Sequence, residues 1–226
     1  MDADVKAGAQ AGSTAPQART RRTRAAVVEA ARQLFLERGY VATTMEAISE
    51  LADTPQPTVY RLFSSKLGIL KALLDVSIAG DDEAVAIADR PQVRSLLANP
   101  DPRDTLTRFA ALVSGLMVRT APVHRVLEEA TRSDRGAAAA FAEIARQRHD
   151  GQRRVAGSLA HAGALRAGLR DRDAADIIHA LASPEVYGLL VIDRGWSSQR
   201  YEEWLASILI DQLLPVTGEG QRHEAR

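Results

Sequence analysis

Nine prolines punctuate this chain, and their placement limits what it can fold into. A proline inside a helix costs roughly 3 kcal/mol, because it deletes a backbone donor and its ring strikes the preceding turn. Pro16 lies near the start, Pro55 and Pro57 are paired, and Pro91, Pro100 and Pro102 cluster. Pro122 and Pro184 stand alone, and Pro215 precedes the last residues. Between these points apolar residues recur at helical spacing, with no alternation of the kind a strand would show. Alanine supplies much of the 46% hydrophobic content, against 4% aromatic, and alanine is the best helix former. The expectation is an all-α fold of about nine helices.

Capping residues set the expected bounds. A first helix covers about Arg24 to Arg38, with Thr23 as N-cap, Gly39 as C-cap, and Val27, Val28, Ala31, Leu34 and Phe35 on one face. A second opens at Thr43 or Thr44 and ends near Ala52, burying Ile48 and Leu51. A third spans Pro55 to Phe63, and a fourth starts around Ser65 carrying Leu67, Leu70, Leu73 and Leu74. Later helices are expected at 104–119, 122–133, 136–161, 173–194 and 198–214, with Asp173 and Ser198 as N-caps. The domain reading is a disordered lead at 1–18, a small DNA-binding domain at 19–66, a regulatory and dimerisation domain at 67–215, and a flexible tail at 216–226.

Net charge is zero overall, but between Arg19 and Lys71 nine basic residues face five acidic ones, a local +4. A neutral average therefore hides a basic front end suited to a polyanion. The absence of cysteine excludes disulfides and thiol catalysis. No run of 18 consecutive apolar residues marks a membrane span and no signal peptide is visible, so the expected location is cytoplasmic.

The segment Thr43–Phe63 has the layout of a helix-turn-helix. A short amphipathic helix leads into a turn of three or four residues and a second helix with a small, polar N-terminal half. Thr54 is placed to cap that second helix, Pro55 and Pro57 are tolerated in its first turn, and Val59, Leu62 and Phe63 point inward. Gln56, Thr58, Tyr60 and Arg61 are left facing a groove or its phosphates.

From Arg24 to Leu74 the chain resembles the DNA-binding domain of the tetracycline-repressor (TetR) family. The resemblance rests on the run Val27–Phe35, the exit Glu37-Arg38-Gly39-Tyr40, the run Thr43–Ile48, the triplet Thr58-Val59-Tyr60, and Phe63-Ser64-Ser65-Lys66. It implies that Thr44, Tyr60 and Lys66 contact phosphates and that Gln56, Pro57 and Thr58 meet base edges. Two positions depart from the family pattern: Asp53 replaces a usual glycine in the turn, and Leu62 stands where a histidine is common. Upstream, Arg19, Arg21, Arg22 and Arg24 form a basic arm, open to minor-groove insertion or to a solvated role.

The resemblance further implies a C-terminal domain that binds a small-molecule effector and pairs with a second copy. Phe109, Leu112, Val113, Leu116, Met117, Phe141 and Tyr187 are candidates to line the pocket. Leu205, Ile208, Leu209, Leu213 and Leu214, with Leu181, Leu189 and Leu190, are expected to face the partner. His124 with Glu128, and Asp176 with His179, have helical spacing for a metal but lack a third ligand, so no metal or cofactor is expected. Asp81-Asp82-Glu83 suggests a solvated helix start. No catalytic motif is found. The expected function is a DNA-binding repressor, homodimeric on a near-palindromic operator and released by an effector. A helical carrier or enzyme that binds no DNA stays open at this point, as does an activator.

Overall fold

The computed structural model describes residues 14–80 and 90–216. Most of the expected lead and tail, and the Asp81-Asp82-Glu83 run, lie outside them. All regular structure among the described residues is helical. The helices are α1 (Thr14–Ala42), α2 (Met45–Leu51), α3 (Gln56–Phe63), α4 (Lys66–Ala79), α5 (Pro91–Leu97), α6 (Pro102–Ala130), α7 (Arg135–His161), α8 (Asp171–Leu181), α9 (Pro184–Tyr187, continuing as a π turn over Gly188–Asp193) and α10 (Ser198–Leu213). They form two compact units, Met1–Leu73 and Leu74–Arg226.

In the first unit α1 packs on α2 and α2 on α3. Val27, Ala31, Leu34 and Phe35 of α1, Ile48 of α2 and Val59 and Phe63 of α3 make the core. The long helix breaks at Gly39, whose φ of 76° and ψ of 174° are incompatible with helix. Gly68 is demanded by proximity, because a Cβ there would lie 2.0 Å from the Phe63 carbonyl oxygen. Three local expectations need correction. α1 starts at Thr14 rather than near Arg24, so Thr23 does not cap; its hydroxyl donates to the Arg19 carbonyl one turn back. The basic residues 19–24, expected as an arm ahead of the first helix, are therefore part of that helix. Leu51 is exposed, because the buried arc of α2 is centred on Ile48 and Ser49.

The second unit is built on α6 lying along α10 and α7 lying along α8. Asp101 caps α6 through the amides of Arg103 and Asp104, and Asp134 caps α7 through those of Gly136 and Ala137. The proline at 122 does not divide α6 as its helix cost suggested. The carbonyl that loses its bond belongs to exposed Val118, where water can satisfy it. Conversely, the helix expected at 173–194 is interrupted at Ala182-Ser183, where Ser183 turns extended and caps α9 through the Val186 amide. Asp173 holds Arg170 instead of capping, and Ser197 rather than Ser198 caps α10.

By length and mean hydropathy alone the stretch Asp171–Asp193 could cross a membrane, which a count of consecutive apolar residues did not suggest. The break at Ser183 and the burial of Ile178 and Tyr187 assign it to the core of the second unit. The stripe expected to face a partner is also mostly interior, since Leu205, Leu209, Leu213 and Leu214 are buried within the chain. Periodicity identified the apolar side of α10 correctly; α6, rather than a second copy, covers it.

Candidate nucleic-acid interface

The turn between α2 and α3 is closed by backbone geometry that the sequence specifies. The Thr54 amide donates to the Ser49 carbonyl and the Asp53 amide to the Glu50 carbonyl, at 3.1 Å each. This is the double closure of a helix end that needs a left-handed residue in the middle. Asp53 fills that place with φ 44°, as aspartate can at modest cost. Ser49, buried, donates its hydroxyl to the Thr54 carbonyl at 2.5 Å. Thr54 itself turns back to the Ala52 carbonyl and leaves α3 without a side-chain cap. Pro57 has no amide to satisfy in that first turn, and the Thr58 and Val59 amides reach the Pro55 carbonyl.

The outward surface follows from this frame. Gln56, Pro57 and Arg61 are exposed, Tyr60 is 47% exposed, and Thr58 is half-buried, while Val59 and Phe63 anchor the opposite side. At α2, Thr44 is the N-cap: its hydroxyl oxygen accepts from the Ala47 amide at 3.1 Å, which leaves the hydroxyl proton free to donate. A helix N-terminus with an available hydroxyl donor is suited to a phosphate oxygen. Arg21 and Arg22 are exposed on α1.

Two basic residues have intramolecular roles that the sequence did not reveal. Lys66 points its ammonium at the end of α1, donating to the carbonyls of Tyr40 at 2.6 Å and Thr43 at 2.8 Å, and lies 4.3 Å above the Tyr40 ring. Thr43, fully buried, meanwhile donates to the Gly39 carbonyl at 2.8 Å. Lys66 thereby ties the start of α4 to the corner from which Thr44 projects. Arg24 spans α1 and α3, with its guanidinium 4.5 Å from the Phe63 ring centroid and 3.2 Å from the Leu62 carbonyl.

In the second unit Phe109, Val113, Met117 and Tyr187 share one buried cluster. Phe141 lies apart from it, against the His124 ring at 4.9 Å. Asp176 contacts His149 at 3.1 Å and His179 contacts Gln152 at 2.7 Å. Between α7 and α8 a cleft of about 700 Å³ is lined by His149, Arg153, Arg154, Asp171, Arg172 and Asp176 among others, with charges of both signs.

Residues 27–73 match the family described as bacterial regulatory proteins, tetR family. The transcriptional regulator YvkB of Bacillus subtilis is 41% identical over 54 residues, which cover 24% of this chain and 29% of that protein. The chain thus matches less than a third of that relative's length. Across the whole fold, NalD of Pseudomonas aeruginosa, the secondary repressor of a multidrug efflux pump, superposes with a TM-score of 0.68 at 20% identity, covering 86% of this chain and 98% of NalD. SmeT, the repressor of a Stenotrophomonas maltophilia efflux pump, in complex with triclosan gives 0.64 at 19% identity, covering 86% and 93%. At such identity these two likenesses concern the fold.

Proposed function

We propose that this chain, a member of the tetR family of bacterial regulatory proteins, is a cytoplasmic DNA-binding repressor released from its operator by a small molecule. The observation that carries this reading is the exposed face of α3, where Gln56, Tyr60 and Arg61 project outward and Val59 and Phe63 hold the helix from behind. Gln56 reads a base edge, with Pro57 and Thr58 beside it. Tyr60, Thr44, Arg61, Arg21 and Arg22 engage phosphates.

A single short recognition helix offers few contacts, so two copies are needed. The face proposed for pairing is the apolar surface that one copy leaves uncovered on α9 and α10: Leu189 at 60% and Ile192 at 43% exposure, with Trp204 and Ile208 half-buried beside them. Two recognition helices about 34–36 Å apart reach successive major grooves, which implies a near-palindromic site. An effector that prefers a conformation with the wrong spacing lowers operator affinity by population shift.

Genome-wide mapping of bound DNA, with transcript levels in a deletion strain, tests the proposal. Near-palindromic bound sites whose downstream transcripts rise on deletion are expected. Falling transcripts would identify an activator, and an absence of bound sites would contradict the reading.

A further inference from the structure

Among the described residues of the second unit, Tyr201 and Arg148 each leave a buried polar atom without a partner. Tyr201 of α10 is 0% exposed, yet its hydroxyl meets no hydrogen-bonding group, and the same holds for the buried Nε of Arg148 on α7. Buried polar atoms are nearly always paired, so each exception calls for an explanation. Both groups are donors. A guanidinium has no acceptor, and burial, with Tyr187 adding to it, pushes the Tyr201 phenol well above its ordinary range, so the hydroxyl keeps its proton.

The rest of the Arg148 guanidinium is loosely held. One terminal nitrogen is 3.7 Å from Glu185, beyond hydrogen-bond distance, and the other is 3.3 Å from His179. Glu185 balances its charge from a distance, His179 takes one terminal N–H, and the Nε–H is left over. α9 brings this arginine and Tyr201 into one neighbourhood: Glu185 faces Arg148, and two residues on the Tyr187 ring meets the Tyr201 ring edge-on at 4.8 Å. His124 of α6, kept neutral mainly by burial, also feels Arg148 and Glu185, and its ring abuts Phe141. Directly after Tyr187 the helix widens into the π turn, a departure found mostly at functional positions.

We propose that Arg148 and Tyr201 form a binding site for a small carboxylate with an aromatic or apolar body, held through its oxygens by the Arg148 Nε–H and the Tyr201 hydroxyl and flanked by Tyr187, His124 and Phe141. The proposal rests on the reading of the second unit as the effector-binding part. A carboxylate supplies what the site lacks, acceptor oxygens and a negative charge, and arginine recognises it through planar, charge-assisted bonds. A primary amide offers a single acceptor oxygen and no negative charge to meet the guanidinium. A cation would meet the arginine.

The test uses the full chain without DNA, titrated with benzoate, 1-naphthoate and octanoate, each beside its primary amide. Thermal unfolding and tryptophan fluorescence are the readouts, since the Trp204 ring lies 5.8 Å from Tyr201. At least one acid is expected to raise the unfolding midpoint and change the fluorescence at concentrations where its amide does neither. Arg148→Gln should abolish that preference, and Tyr201→Phe should weaken binding roughly tenfold. Without ligand, Tyr201→Phe should raise the midpoint, because it removes an unpaired buried hydroxyl.

A lowered midpoint for ligand-free Tyr201→Phe would overturn the proposal, since it would mean that the hydroxyl already has a partner. So would acids that bind no better than their amides, or equally well to Arg148→Gln. DNA binding is read separately. A protein that binds duplex DNA but ignores all three acids refutes this site alone, whereas acid binding without DNA binding refutes the repressor and leaves the site standing.

Discussion

The two units differ in how completely they satisfy their buried polar groups. In the first, Thr43, Ser49 and the Lys66 ammonium each reach a backbone carbonyl, locking the turns around α2 and α3 into one geometry. The second also satisfies its buried Thr105, Ser114, Thr120 and Gln152, but it leaves one donor on each of Arg148 and Tyr201 without a partner. Satisfied buried networks rigidify a fold, and unsatisfied ones cost stability unless something else completes them. The contrast fits the proposed roles, a unit that holds its shape on DNA and a unit completed by a ligand. Sequence similarity divides the same way: residues 27–73 match a family model, while the whole fold is shared with neighbours at about 20% identity.

The contrast can be broken most directly at Lys66. Lys66→Ala removes the charged donor shared by the Tyr40 and Thr43 carbonyls, and should cost the first unit about 2–3 kcal/mol. Both tryptophans, Trp196 and Trp204, lie in the second unit. Urea titration should therefore show an early loss of helical circular dichroism that tryptophan fluorescence does not follow. A stability equal to wild type would mean that Lys66 is not a structural clamp.

Gln56→Ala leaves this frame intact and should flatten base preference by about 1–3 kcal/mol if its contact is bidentate. Competition between a mapped site and its single-base variants measures this. Thr43→Val, isosteric and buried, should destabilise by about 1–2 kcal/mol by stranding the Gly39 carbonyl, as chemical denaturation would show.

The smallest effect expected is an acid sensitivity. Burial lowers the His124 pKa below its ordinary 6.5, so the folded chain holds His124 neutral where the unfolded chain binds a proton. Its contribution is complete above about pH 6.5 and is lost as pH falls through the folded value, by less than about 1.4 kcal/mol per pH unit. His179 is shifted the same way, by burial first and then by Arg148. The first unit contains no histidine. The loss should appear in tryptophan fluorescence and shrink in His124→Asn.

Much of the first unit was legible because its signals are local. Gly39 ends a helix through its own φ, Asp53 takes the left-handed turn position, and Thr44 caps the helix that follows it. Long-range partnerships were not legible. The resemblance reads Lys66 as a phosphate contact, and only folding brings its ammonium to the carbonyl of Tyr40, 26 residues earlier. In the second unit, helical periodicity identified an apolar side on α10, but it could not say whether α6 or another copy covers it. Arg148 and Tyr201 gave no signal at all. An arginine in a helix otherwise rich in alanine and charge resembles any solvated one, and only the approach of α8 and α9 to α7 makes it a buried donor.

Titration of the full chain onto duplex DNA at several salt concentrations tests the central claim most directly. A reading head lined by Arg21, Arg22, Arg61 and Tyr60 predicts that affinity falls steeply and log-linearly with salt, and that Arg61→Ala reduces the slope by about one. Negligible binding at low salt with no ligand present, or an affinity indifferent to salt, would contradict it.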